Sequence, residues 1–392
     1  MTRRLFAVTA AAGIARAADS QQVPESIRRL QPMTGGIQPI TEAEREARRE
    51  KARRLMRENH IDAVVSEGGS SMYYFAGTRG TNGASVSLLV LPQRGEPTLV
   101  TPTGASTAGL VLAQALRGLG AGTGRIAIEE RTRFFIVDRL RRELPRAELV
   151  SADPVTAGCR MIKSPAEIAL LQRANEITIA AYKAAFTAMR EGMTQVDFSA
   201  NIDAAYRALG VRGGAMAIFG KYTAYPHGSA QPQRLQEGDM VLVDDGCEVE
   251  GYQSDITRTT VFGKPSARQR QVWDLERKAQ DAAFRAARPG ATCESVDAAA
   301  RQVITGFGFG PDYKLPGLPH RTGHGIGLDG HEWTYLVRGN KTRLEPGMCF
   351  SDEPTVAIPG EFGVRLEDCM YITEDGARLF TKQSPSIDQP FG

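Results

Sequence analysis

Cysteine is scarce in this chain: five residues in 392, odd in number and without a Cys-x-x-Cys pair. That argues against a disulfide framework and against a zinc ribbon, so Cys159, Cys247, Cys293, Cys349 and Cys369 are expected to be buried free thiols. No apolar run approaches the roughly 20 residues that a membrane-spanning helix needs. Lys and Arg (48) nearly balance Asp and Glu (45), and no basic block interleaves with aromatic residues. Nucleic-acid and membrane partners therefore have no support. Several catalytic templates are missing as well. There is no Gly-x-Ser-x-Gly elbow, and His331-Glu-Trp-Thr-Tyr335 lacks the second histidine of a His-Glu-x-x-His helix. The glycine runs 118–124 and 306–310 lack dinucleotide-binding spacing and read as loops.

What remains is an ordinary globular composition, 42% hydrophobic and 24% charged, in a length that suggests two domains. Thr2-Arg3-Arg4-Leu5-Phe6 resembles a twin-arginine export signal. With a mild apolar stretch and the small-residue site Ala15-Arg16-Ala17, residues 1–18 read as a signal peptide and predict a periplasmic location; the alternative is a cytoplasmic tail. Residues 19–39 have the polar, Pro/Gly-rich look of a linker. Thr41 with Glu44 predicts a capped helix to about Glu58, its arginines facing solvent, with His60 a structural residue at its end. Strand-like runs at 63–65, 86–91, 98–101 and 125–128 alternate with helical stretches at 108–116 and 135–143, giving a mixed α/β domain over 40–160. Ser164-Pro-Ala-Glu167 caps a long helix to about Met189 and opens a second domain, 161–392.

Histidine is also rare, and its placement is informative. Of five, three fall in His320-Arg-Thr-Gly-His324-Gly-Ile-Gly-Leu-Asp-Gly-His331, whose glycines exclude a helix and suggest a loop or strand edge. Nearby carboxylates come in pairs. Met240-Val-Leu-Val-Asp244 reads as a buried strand, and a turn at Val249-Glu250 would set Asp244 directly opposite Asp255. Pro359-Gly360-Glu361 is a second turn signal, and folding about Gly360 pairs Glu353 with Glu367. Opposed residues on one sheet face have Cβ atoms roughly 4.5–5.5 Å apart. Like charges buried that close repel strongly unless cations lie between them. Four carboxylates beside an imidazole are the donor set of two divalent ions rather than one.

The segments Val-Asp244-Asp-Gly, Gly-Tyr-Gln-Ser-Asp255-Ile-Thr-Arg-Thr, Gly-His324-Gly-Ile-Gly-Leu, His331-Glu, Glu353-Pro and Gly-Val-Arg365-Leu-Glu367-Asp resemble the pita-bread metallopeptidases. That family includes methionine aminopeptidase, aminopeptidase P and prolidase. The resemblance implies a creatinase-like mixed α/β domain followed by a pita-bread catalytic domain, α/β (α+β) in class. It implies Asp244, Asp255, His324, Glu353 and Glu367 as ligands of two ions, Mn²⁺ foremost, with Co²⁺, Zn²⁺ or Fe²⁺ compatible. The N-terminal domain, His320 and Pro226-His227 resemble the proline-specific branch, so the expected substrate is a peptide with proline second, and a homodimer is expected. In that family scheme a metal-bridging hydroxide attacks the Xaa-Pro bond and Glu353 acts as general base. His331 and His227 would stabilise the oxyanion, His320 and His227 would line the proline side, and Arg365 would hold a ligand carboxylate. Arg338 is a candidate for the substrate's carboxylate. Tyr222, Asp352 and Thr334 depart from the family pattern, which touches substrate preference rather than the ligands. The alternative function is a non-peptidase pita-bread enzyme, a metal-dependent lyase or C–N hydrolase acting on a small molecule. A non-catalytic binding module is the other rival, and it would be favoured by a lost ligand.

Overall fold

Two cores are built on either side of one sheet in the first half of the chain, and the reason is periodicity. A computed structural model describes residues 23–391; the expected signal segment, 1–18, lies outside the described residues. The sheet has the order 98–100, 88–92, 63–67, 125–128, 148–151, with the last three strands parallel. Successive residues point to opposite faces. Ala63, Val65, Leu88, Val90 and Ile126 therefore pack under the helices Ala108–Gly118 and Phe134–Glu143. Val64, Leu89, Leu91 and Ala127 join the opposite core with Ala52 and Met56 of the helix Glu42–Glu58. Burial on both faces explains why these strands read as unbroken apolar runs.

The second half is built from helix pairs and hairpins. Ser164 caps the helix Pro165–Thr187 with a complete capping box, its hydroxyl accepting from Glu167 and the Glu167 carboxylate accepting from the Ser164 amide. The Gln195–Ala208 and Ala267–Ala286 helices begin with the same device, at Thr194/Asp197 and Ser266/Gln269. The Cys293–Gly306 helix completes the second pair. A three-stranded sheet holds 216–219, 240–244 and 258–261. A five-stranded sheet runs in the order 332–336, 323–325, 349–352, 368–373, 376–379, beside the hairpin 355–358/362–365. The architecture is a mixed α/β domain ahead of a second domain of paired helices and hairpin sheets, as expected. All five cysteines are buried free thiols.

Two expectations are corrected. The described part of the segment read as a linker, 23–39, is packed: Ile27 is buried in the core, Ser26 Oγ donates to the Ala184 carbonyl at 2.8 Å, and the Met33 amide donates to Leu209 at 2.9 Å. The arginine-rich helix does not face solvent throughout either. Arg48, Arg49 and Arg53 are buried, their apolar stems in the core and their heads on partners. Arg48 donates to the Tyr74 carbonyl at 3.2 Å and to Tyr252 Oη at 3.0 Å, and lies 3.6 Å from Glu167, so it crosses into the second domain. A further seam joins the halves. Arg160 Nη2 pairs with Asp329 at 2.6 Å and with Glu332, and Lys163 Nζ reaches Glu332 at 3.1 Å.

Candidate metal centre

The first acid hairpin closes one position later than its sequence suggests. Val249 faces Tyr252 and Glu248 faces Gln253, leaving Glu250-Gly251 as the two-residue loop. Both loop residues have positive φ, 48° and 85°, the pattern of a type I′ turn that suits the twist of a hairpin. The expected loop at Val249-Glu250 is thereby corrected and the register shifts by two. Val243 pairs with Arg258, so Asp244 stands opposite Thr257 and not Asp255. A two-residue shift keeps every side chain on its face, so Asp244 and Asp255 remain diagonal neighbours on one surface.

The second hairpin has the expected register. Thr355 faces Arg365 and Asp352 faces Asp368, so Glu353 and Glu367 stand opposite each other between two ladders of the same phase. Neither glutamate spends its backbone amide inside that ladder. Glu353 donates to the Thr322 carbonyl at 2.8 Å, next to the histidine strand Gly323–Gly325, and Glu367 donates to the Thr257 carbonyl at 3.1 Å. Those two bonds bring three distant segments to one place. A Cβ at Gly323 would lie 2.2 Å from the Ser351 carbonyl, which is why that strand position is glycine.

His324 is buried at the focus. Its Nδ1 lies 3.1 Å from the Gly325 carbonyl, a contact that turns Nε2 toward the carboxylates. Nε2 is 3.1 Å from Glu353 and 3.6 Å from Asp255. Donor atoms gather within 4.8 Å in three overlapping triads: Asp244–Asp255–Glu367, His324–Glu353–Glu367 and Asp255–His324–His331.

The electrostatics are those of an incomplete site. Burial pushes the Asp255 carboxyl well above the usual range, and Asp244 and Glu353 add to it. Burial raises Glu367 likewise, with Asp255 and Glu353 beside it. Burial also acts upward on Glu353, but the facing His324 imidazole overrides it and holds that carboxyl low. Arg365 pairs with Asp244, and its Nε donates to Thr257 Oγ1 at 3.0 Å. Thr257 Oγ1 in turn lies 2.6 Å from Asp244 and 2.7 Å from Glu367. Glu367 Oε1 is buried with no partner among the described residues. An orphaned carboxylate oxygen aimed into a nest of acids fits a cation, because leaving it unpaired is costly.

The other expected residues separate. His331 stands at the mouth, its ring centroid 4.0 Å from that of His324 and its Nδ1 3.2 Å from Arg321, with burial and these two neighbours pushing it down to about 4. His320 is turned aside, Nε2 lying 2.9 Å from Thr355 Oγ1 and Nδ1 2.6 Å from the Arg321 carbonyl; burial lowers its pKa. His227 is exposed on a loop whose Pro226 carbonyl accepts from Arg365 at 3.3 Å. Arg338 is not brought to the site; it pairs with Asp312 in a separate surface hollow. Thr257 and Ser351 were not singled out beforehand. Ser351 Oγ accepts from the His324 amide at 3.0 Å, and no local signal distinguishes it. Asp245 was also passed over; burial and the adjacent Asp244 raise it to about 6.

Known proteins share this arrangement of domains. Residues 169–374 match the pattern of metallopeptidase family M24, and residues 48–162 match the creatinase/prolidase N-terminal domain. An Xaa-Pro dipeptidase of Pyrococcus furiosus is 32% identical over 344 residues, 86% of this chain and 97% of that one. An Xaa-Pro dipeptidase of Lactobacillus helveticus is 40% identical over 250 residues, 62% of this chain and 66% of its own length. The crystal structure of dipeptidase PepE from Mycobacterium ulcerans superposes with a TM-score of 0.81 at 31% identity, covering 88% of this chain and 97% of that one. With fold, site and sequence in agreement, the chain belongs to metallopeptidase family M24, with a creatinase/prolidase domain in front.

Proposed function

We propose that this protein is a metal-dependent peptidase that hydrolyses Xaa-Pro bonds, with Xaa-Pro dipeptides as its substrates. The observation that carries the reading is the convergence of Asp244, Asp255, His324, Glu353 and Glu367 in triads that share members, one oxygen of Glu367 lacking any partner among the described residues. Membership of family M24 implies divalent ions. Triads that share Asp255, His324 and Glu367 would suit two ions, and a carboxylate-rich donor set would suit Mn²⁺, with Co²⁺, Zn²⁺ or Fe²⁺ as alternatives. When bound, such ions supply Lewis-acid activation of water and of a carbonyl oxygen.

The chain's own groups do the rest. Glu353 would accept the proton of the attacking water and deliver it to the leaving nitrogen. His331 at the mouth, and His227 once its loop turns inward, would donate to the developing oxyanion. His320 with Thr355 would border the proline side. Arg365 and Thr257 hold Asp244 and Glu367 from behind and so orient them. A homodimer and export through the Arg3-Arg4 segment belong to the same reading; sedimentation of purified protein and cell fractionation test them.

Hydrolysis of Ala-Pro, a longer Xaa-Pro peptide and Ala-Ala by one metal-loaded preparation tests the proposal. Ala-Pro should be cleaved fastest and Ala-Ala hardly at all, with two metal ions per chain by elemental analysis. Failure to cleave any Xaa-Pro bond at full metal content would sink it.

A further inference from the structure

A cavity of about 710 Å³ opens beside the metal carboxylates, bordered on its inner side by Asp255 and His331. Neither His320 nor Arg365 lines it. If the proline ring lies toward His320, as the proposed function has it, the side chain of the substrate's first residue enters this cavity; the inference therefore rests on that reading.

The walls are polar and open. Gly213, Gly214 and Gly246 leave room, while Asp245, Glu248 and Gln253 supply polar groups. Glu248 is already matched: Arg212 Nη2 lies 3.1 Å away and Arg79 Nη2 3.8 Å. Asp245 has no Lys or Arg partner among the described residues, and Arg365, whose field reaches it, is committed to Asp244. Arg212 lines the same wall but is paired with Glu248, so Asp245 is the lining carboxylate outside the proposed ligand set that has no ion-pair partner among the described residues.

Its backbone shows that the position is held deliberately. Asp245 has φ 107°, where a non-glycine residue costs roughly 1–3 kcal/mol. Two hydrogen bonds to its carbonyl keep it there, from Tyr182 Oη at 2.9 Å and from the Ile256 amide at 3.1 Å. Glycine would satisfy that backbone without strain. The carboxylate is therefore kept at a site where the fold alone would favour its absence.

We infer that Asp245 is a specificity-determining residue for the first position of the substrate, favouring side chains that end in a cation, such as Lys-Pro and Arg-Pro. A charge-assisted hydrogen bond in a partly enclosed cavity is stronger than a neutral one. Glutamate at the same position would be disfavoured by like charge.

The test is kcat/KM of the metal-loaded full chain on Lys-Pro, Met-Pro and Glu-Pro. All three carry the same α-ammonium, so their ratios isolate the side chain. The order Lys-Pro, Met-Pro, Glu-Pro is expected, with Lys-Pro ahead of Met-Pro by roughly tenfold at low salt and less at high salt. In Asp245→Asn and Asp245→Gly the Lys-Pro to Met-Pro ratio should fall close to one. The glycine variant suits the local backbone, so misfolding does not cloud the result. An unchanged ratio in both variants, or no Lys-Pro preference in the parent, overturns the inference while leaving the peptidase reading intact. Failure on all three dipeptides overturns both.

Discussion

Two groups of buried carboxylates lie on either side of His331, which joins the metal-centre donors while its neighbour Glu332 belongs to the domain seam, and the chain treats them in opposite ways. At the seam between the domains, Glu332 is bound by Arg160 and Lys163, and Asp329 by Arg160, by Arg131 at 3.0 Å and by Ser70 at 2.7 Å. Burial alone would raise the Glu332 carboxyl, yet Arg160 and Lys163 bring it down to about 2. At the metal centre Asp255 and Glu367 have mostly other acids for neighbours, and both are driven upward. Residue type and burial are alike, so partners alone separate the two. An acid cluster that the chain completes with its own cations holds the fold together. One left short of positive charge, with its donor atoms converging within 4.8 Å, is suited to receive ions.

The sharpest break in that comparison comes from the incomplete side. Chelation should abolish Ala-Pro hydrolysis and Mn²⁺ should restore it. Glu353→Gln should cost roughly 10³-fold in kcat, the scale of a lost general base. Retention of most of the rate with normal metal content would remove Glu353 from that role. Stability should respond differently. In chelated protein Asp255→Asn is expected to raise the melting temperature, because it removes a repelled charge rather than a partner.

On the completed side the same kind of edit should do the reverse. Arg160→Met leaves Glu332 and Asp329 buried with a cation gone, an omission that costs about 3–5 kcal/mol. Adding Glu332→Gln to Arg160→Met should recover part of that loss in urea unfolding. If the double variant is less stable than the single one, the seam is not held by the ion pair.

Much of the site could be read from the sequence because hairpin geometry is local. Gly360, with φ 85°, set the Glu353–Glu367 register from a turn signal alone. The Asp244–Asp255 register came out two positions off because Glu250 takes positive φ, which a glutamate does not advertise. The face survived that error, since a shift of two preserves it. Arg48 was misjudged because arginine counts as charge while its stem packs like an apolar residue. Residues 19–39 looked like a linker from composition, yet in the described part Ile27 is buried and Leu30, Met33 and Ile37 pack against the same core. The seam had no local signal: Lys163 and Glu332 are 169 residues apart, and only the tertiary fold joins them.

The seam carries its own pH signature. Glu332 has an ordinary value of 4.5 when unfolded and about 2 when folded. A carboxyl lowered on folding stabilises fully above the unfolded value, and that stability drains away as pH falls from 4.5 through 2. The contribution is about 3 kcal/mol by linkage. Urea unfolding of the parent between pH 5 and pH 2 should therefore show a steeper acid loss than that of Glu332→Gln; parallel curves would mean that Glu332 is not ionised in the fold.

The smallest predicted effect probes how the incomplete side is braced. Thr257 Oγ1 touches Asp244, Glu367 and Arg365, so one hydroxyl orients two carboxylates from behind. A hydroxyl has one proton to donate, and replacing it with a methyl group leaves the volume nearly unchanged. Thr257→Val should thus spare the fold and loosen the two acids. Loss of such an orienting partner typically weakens metal affinity by about 10- to 100-fold, and the lower end is expected because Arg365 still grips Asp244. Calorimetric titration with Mn²⁺ reads this directly. An unchanged affinity would show that the carboxylates are oriented by the ions themselves, and the contrast between a self-completed seam and an ion-completed centre would then be sharper still.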